Sequence, residues 1–299
     1  MSERGPLNIR LLSGTTYQRI CENTRRLEAS LTTHGLRVRG SCRLASYRRA
    51  LTVAESVAKG ELAPERVDLQ LLHRAAYESG QLSVIVAELS RPPEVDGWKS
   101  RVQELLSGRD LPEGDAGSNS ARDVQFELYV AALCRRAGYC VTLAEPDIVV
   151  KRAAISFGIA AKRPRSRRKI RRAIRKGSQQ LAAADTDGVI AIDITVVHNP
   201  TSAFMVVQEP EHATDELTRI ADHFLHQNLR GLRYAVDVNR VFGVMAYMGA
   251  LFTLATRTHL GACERFSAMN LCGLDDARWA MFKEFVRQLS SAFPSRGIN

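Results

Sequence analysis

The feature that most constrains the fold is a segment, residues 122–197, in which helical and strand patterns alternate. A helix is predicted at 122–137, and Gly138 follows it in the usual position of a left-handed C-terminal cap. Three strand-like runs come next, then a second helix and a continuous apolar strand. The four strands are predicted at 140–143, 147–150, 154–161 and 189–197. This order of elements predicts an α/β domain.

The sequence on either side of this segment suggests how the chain is divided. Residues 1–106 carry amphipathic helical patterns without clear strand alternation. Residues 107–121 are rich in Gly, Asp, Ser, Pro and Asn, which is a composition typical of linkers. We therefore expect an all-helical N-terminal region at 1–106, a linker at 107–121 and an α/β domain at 122–299. Within that domain, the apolar run at 241–256 is predicted to form buried strands between two helices.

Nothing in the sequence predicts secretion or a membrane span. The first residues lack a signal-peptide pattern, and the apolar run at 241–256 is shorter than the roughly 20 residues that a spanning helix needs. The six cysteines include no Cys-x-x-Cys pair, so we expect reduced thiols and no structural zinc. A cytoplasmic protein without a membrane partner is the expectation, and a homodimer is left open.

The formal charge of +10 is concentrated in one short segment. Ten of the fifteen residues at 162–176 are Lys or Arg and none is acidic, which leaves 32 of the 42 basic residues against 32 acidic residues elsewhere. A concentrated basic patch on an otherwise neutral chain indicates binding to a phosphate backbone. A solvated helix face and a localisation tract are the alternatives.

The strand at 154–161 and the residue after it predict a site. Side chains alternate between the two faces of a strand, and the odd-numbered positions here are apolar. The even-numbered positions are small and end in a lysine, which predicts open space above that face: Ser156, Gly158, Ala160 and Lys162. A hairpin with the preceding strand would bring Asp147 to the same end of the sheet as Lys162.

Glu127 is a third candidate, because it lies on an apolar stripe of the first helix with Val124, Ala131 and Cys134. A carboxylate in such a position needs a partner, since burying it alone is unfavourable. The partner is expected to be either a metal ion or a cationic side chain, which would be Lys162 or an arginine.

Residues 122–197 contain four short motifs: Pro146-Asp147, Ile-Ala-Ala-Lys-Arg-Pro at 159–164, Gln179-Gln180 and Ile-Ala-Ile-Asp at 190–193. With the order of helices and strands, these motifs resemble the PD-(D/E)xK nuclease superfamily. The resemblance implies a restriction-endonuclease-like mixed central sheet flanked by helices. It also implies a metal-dependent nuclease acting on nucleic acid, with DNA favoured.

The resemblance assigns roles to individual residues. Glu127, Asp147 and Lys162 would be catalytic, and Glu127, Asp147 and the carbonyl of Ala161 would hold Mg²⁺ or Mn²⁺. Lys162 would orient the attacking water and offset the charge of the phosphorane. Side chains of the basic segment and one glutamine would bind nucleic acid: Arg163, Arg165, Arg167, Arg168, Lys169, Arg171, Arg172 and Gln180.

One position departs from the family pattern, because Ala160 stands where the motif has Asp or Glu. Three interpretations follow. Glu145 or Asp193 could substitute, two carboxylates with a carbonyl and waters could suffice, or the domain does not cut. The alternative function is therefore a catalytically inactive nuclease-fold module that binds nucleic acid or a protein partner.

Overall fold

A computed structural model describes residues 7–15, 17–40, 42–108, 120–153, 155–200, 203, 205–255, 260–273 and 276–292. Within these residues the chain forms an α/β structure with one mixed sheet and helices on both faces. The helices are α1 (Tyr17–Thr33), α2 (Arg43–Ala58), α3 (Leu69–Leu89), α4 (Trp98–Ser107), α5 (Ser120–Arg136), α6 (Arg167–Ala183), α7 (Thr195–His198), α8 (Pro210–Ala235) and α9 (Ala277–Ser291). The strands are β1 (Leu7–Thr15), β2 (Cys140–Thr142), β3 (Ile148–Arg152), β4 (Ile155–Lys162), β5 (Gly188–Asp193), β6 (Met205–Val207), β7 (Val241–Leu254) and β8 (Leu260–Asn270).

The strands lie in the order β1-β8-β7-β5-β4-β3-β2, and β6 pairs with β7. Strands β2, β3 and β4 form an antiparallel meander. Strand β5 then pairs parallel to β4 after the helix α6, and β7 pairs parallel to β5. The predicted order of helix, three strands, helix and strand is confirmed by α5, β2, β3, β4, α6 and β5.

The last of these strands is shorter than predicted. Strand β5 ends at Asp193, and residues 195–198 form the helical turn α7 instead of continuing to residue 197 as strand. The Asp193 side chain accepts a hydrogen bond from the backbone N–H of Thr195 at 2.9 Å. This local bond gives the backbone an alternative to the strand ladder, so the strand ends here although the apolar pattern continues into the buried residues Ile194 and Val196.

The prediction of an all-helical region at 1–106 is wrong at its start. Leu7–Thr15 form β1, which pairs antiparallel with β8 at one edge of the sheet. The sequence does alternate between apolar and polar residues at Leu7, Asn8, Ile9 and Arg10, and that short signal is of the strand type. Helices do form at the other predicted positions in this region.

One hydrophobic cluster contains side chains of the N-terminal helices and of one face of the sheet. Leu82 of α3 and Val102 of α4 belong to it, together with Phe126 of α5 and Phe157 of β4. The N-terminal helices therefore pack on the same core as the α/β elements. The linker predicted at 107–121 lies largely outside the described residues.

The other face of the sheet is covered by α6 and α8 in a second cluster. Ala160 is fully buried there, beneath α6. A Cβ atom added at Gly177 of α6 would lie 3.3 Å from the Cβ of Ala160, and one at Gly158 would lie 2.7 Å from Cγ of Pro146. The expectation of open space above this face of β4 is therefore wrong, because its small residues let the helix approach the sheet closely.

Candidate nucleic-acid interface and acid–lysine pair

Asp147 and Lys162 meet at one end of the sheet, as the hairpin between β3 and β4 predicts. The Lys162 Nζ donates to Asp147 Oδ2 at 2.5 Å, and the backbone N–H of Ala161 donates to the same oxygen at 2.8 Å. Gln180 of α6 donates through Nε2 to Asp147 Oδ1 at 3.2 Å and to Glu145 Oε2 at 3.4 Å. The structure thus places Asp147, Lys162 and Gln180 together, while their chemical roles stay predictions.

Glu127 is paired with an arginine. It lies on α5, and its Oε2 accepts a hydrogen bond at 2.5 Å from Arg101 of α4. Burial raises the pKa of the Glu127 carboxyl above its ordinary value, although Arg101 opposes the shift. Asp147 and Lys162 influence this pKa through their charges, but neither is a hydrogen-bond partner of Glu127 in the described residues.

Asp193, one of the two candidates to replace the missing acid, is also paired. Arg163 donates through Nε to Asp193 Oδ2 at 2.9 Å, and Thr195 holds the other oxygen. The second candidate, Glu145, reaches Asp147 only through the shared amide of Gln180. Substitution of the motif acid by either carboxylate stays a prediction.

The oxygen atoms expected to hold a divalent ion are engaged by cationic side chains. Arg101 binds Glu127, and Lys162 binds both Asp147 and the carbonyl oxygen of Ala161, the latter at 2.9 Å. Among the described residues, no group of three or more His, Cys, Asp or Glu side chains is arranged to hold a metal ion. As arranged, the donor set does not fit Mg²⁺ or Mn²⁺, which bind through oxygens left open to them.

The basic segment forms an exposed helical surface. Ile170, Ile174 and Leu181 of α6 are buried against the sheet, so the charged positions point to solvent. We call the exposed cations the basic face of α6: Arg167, Arg168, Lys169, Arg171, Arg172, Arg175 and Lys176. In the part of the chain that the structure describes, none of them forms an ion pair.

Two predicted nucleic-acid contacts, Arg163 and Arg165, precede α6 and are only partly exposed. Arg163 is tied to Asp193, so it lies deeper than the basic face. His198 lies near the start of this face. Burial lowers its pKa, and the charges of Arg167 and His223 lower it further.

Sequence reasoning missed two features of this region. The partner of Glu127 is Arg101, which lies in a helix assigned to the separate N-terminal region and carries no motif. Arg175 and Lys176 belong to the exposed face although only the earlier cations were predicted to bind nucleic acid. Their spacing along the helix was a usable signal, since residues four apart share a face.

Comparisons of the chain with protein-family models, curated proteins and solved structures find no match. Among the described residues, no helix has the length and apolar character to cross a membrane.

Proposed function

We propose that the protein is a nuclease-fold module that binds nucleic acid through the basic face of α6, with duplex DNA as the favoured ligand. The observation that carries this proposal is the set of seven exposed cations on one helix without acidic partners among the described residues. Such cations bind phosphates and release condensed counterions, which is the main source of sequence-independent affinity for nucleic acid.

The arrangement of the central elements supports the assignment to a restriction-endonuclease-like fold. Helix α5 is followed by the meander β2-β3-β4, and α6 then leads to β5, which lies parallel to β4. The resemblance to PD-(D/E)xK nucleases requires this order and places the acid and the lysine at one end of β3 and β4. Asp147 and Lys162 occupy those positions.

Binding without cutting is favoured by the surroundings of the three expected metal ligands. Each is engaged by Arg101 or Lys162, and Ala160 lies in an apolar cluster under α6. An acid at position 160 would be buried in this apolar cluster, which is unfavourable unless the acid is paired. The site is therefore built from internal ion pairs.

The test measures binding of labelled duplex DNA, single-stranded DNA and RNA of one sequence across a salt series. Replacing Arg168, Arg171 and Arg175 with glutamine should reduce the slope of log K against log salt by about 3 for duplex DNA, at roughly 0.9 for each phosphate that is no longer neutralised. A matched control replaces Arg26, Arg219 and Arg287, which are also exposed but are paired with glutamates. If both triple variants bind like the wild type, the basic face of α6 is not the binding surface.

A second candidate function is metal-dependent cleavage of phosphodiester bonds. The meeting of Asp147, Lys162 and Gln180 at the end of β4 favours it, since the resemblance places all three at the active site. Cutting would require Asp147 and Glu127 to leave their present partners.

Cleavage assays decide between the two functions. Plasmid, linear duplex, single-stranded DNA and RNA would be incubated with Mg²⁺ or Mn²⁺ and the wild type, Asp147→Ala or Lys162→Ala. A control Asp187→Ala removes an exposed acid at the opposite end of β5. Metal-dependent cutting that survives only in the wild type and the control would establish the nuclease, whereas salt-sensitive binding without cutting supports the binding module.

A further inference from the structure

A cavity of about 70 Å³ is lined by Arg163 and Asp193, and by residues of α3 and α5 but none of α6. Its walls come from α3, α5, the segments that follow β4 and β5, and the middle of β7. The carboxyl ends of β4 and β5 thus open into it, which is where open α/β sheets usually bind ligands. Arg74 and Asn199 are partly exposed and Ala203 is exposed, so these residues form the mouth of the cavity.

The lining of the cavity is rich in arginine. Arg74, Arg122 and Arg163 contribute to it, together with the carboxylates of Glu78 and Asp193. Both carboxylates are paired with arginines. Glu78 accepts a hydrogen bond at 2.8 Å from Arg43, which lies outside the lining, and also forms an ion pair at 3.4 Å with Arg122 of the lining. Asp193 accepts a hydrogen bond from Arg163.

Arg163 provides the donors for a ligand. Its Nε donates to Asp193, and in the described part of the chain no other group accepts a hydrogen bond from it. The two terminal nitrogens therefore remain as a planar pair of donors on a side chain that is only 12% exposed. A guanidinium fixed at Nε presents these donors in the geometry that binds two oxygens of a phosphate.

The cavity is large enough for a phosphate group. At roughly 10–15 Å³ of this volume for each water, it holds about five to seven water molecules. The five heavy atoms of a phosphate group lie at bonded distances and need less space than that.

The cavity lies close to the start of the basic face of α6. Arg163 lines the cavity, and Arg167, the first residue of α6, follows it by four residues in the chain. A strand whose backbone lies on the start of the basic face therefore passes close to the cavity.

We infer that this cavity binds the terminal phosphate of a nucleic-acid strand, with Arg163 as the main donor, so that the protein recognises strand ends. This inference rests on the proposed function, because it takes the strand to be bound on α6. It adds a ligand group and a site that the basic face alone does not provide.

The experiment compares oligonucleotides of one sequence that carry a 5′-phosphate, a 3′-phosphate or hydroxyls at both ends, with inorganic phosphate tested separately as a probe. We expect one phosphorylated end to bind about tenfold more tightly, the factor that corresponds to ~1.4 kcal/mol. Arg163→Gln should abolish this preference. Arg163→Lys keeps the charge but loses the paired donors, and should also reduce it.

Arg175→Gln is the matched control, because it removes one exposed cation from α6. It should weaken all three oligonucleotides equally and preserve the preference. Thermal unfolding of each variant identifies any that fail to fold, and the Lys variant then provides the test.

The possible failures are distinct. Equal, salt-sensitive binding of all three oligonucleotides would overturn the end-recognition site and leave the proposed function intact. If no oligonucleotide binds, the proposed function fails, and binding of inorganic phosphate that depends on Arg163 would then limit the cavity to free phosphate and overturn recognition of strand ends.

Discussion

The arginines of α1 and those of α6 are similar in exposure but differ in their partners. Arg25 pairs with Glu55, and Arg26 pairs with Glu22 on its own helix. The basic face of α6 has no such glutamates within the described residues. The local arginine content of a sequence therefore does not identify a binding surface, whereas a row of exposed arginines without acidic partners indicates one, because no neighbouring carboxylate offsets their charge.

The largest effect on stability is expected where the arginine–glutamate pair is buried, unlike the exposed pairs of α1. Arg43 and Glu78 form an ion pair that is almost inaccessible to solvent, and Arg43 and Arg122 hold the pKa of Glu78 below its ordinary value despite its burial. Arg43→Met should lower the free energy of unfolding by about 3 kcal/mol, because it leaves a buried carboxylate with weaker compensation. Urea unfolding measures the loss, and the double variant with Glu78→Leu should recover much of it.

A smaller effect is expected at the partly buried pair of Arg101 and Glu127. Arg101→Ala should lower the free energy of unfolding near neutral pH by about 1 kcal/mol, a value reduced for the exposure of the arginine. The loss should shrink at low pH. Burial raises the pKa of Glu127 above the ordinary 4.5, so the folded state takes up a proton more readily than the unfolded state, and stability falls as the pH rises above that value.

Urea unfolding at pH 4 and pH 7.5 gives the sign of this linkage. Without Arg101 the pKa of Glu127 should rise further, so the variant should lose more stability between the two pH values than the wild type does. A loss that is equal at both pH values would mean that Glu127 does not depend on Arg101.

The smallest effect is expected on α6 itself. Arg172→Ala removes a cation that has like charges four residues away on each side, at Arg168 and Lys176. The variant should unfold at the same or a slightly higher urea concentration, with a gain of a few tenths of a kcal/mol from reduced repulsion. A clear destabilisation would mean that Arg172 has a stabilising partner, and the contrast between the arginines of α1 and the basic face of α6 would no longer hold.

The parts of the fold that could be predicted are those that depend on neighbouring residues. The helix–strand order at 122–197 follows from local periodicity, and the meeting of Asp147 with Lys162 follows from a short hairpin. The partner of Glu127 could not be found in this way, because Arg101 lies on another helix 26 residues earlier in the chain.

Ala160 illustrates a different limit of sequence reasoning. A row of small residues on one strand face is compatible with an open site and with a closely packed helix, and the sequence of the strand does not distinguish them. Helix α6 shows that the strand face is closely packed, because Gly177 of this helix lies against Ala160. Only the packing of two elements reveals which side of the sheet is covered.

The pairing of β1 with β8 has a consequence for synthesis of the protein. A ribosome completes β1 at Thr15 and begins β8 at Leu260, roughly 250 residues later. At about 5–20 residues per second, the first strand waits for roughly 12–50 s before its partner exists. During that interval its backbone hydrogen-bonding groups are open to water and to other strands, so this edge of the sheet is completed long after its first strand is made.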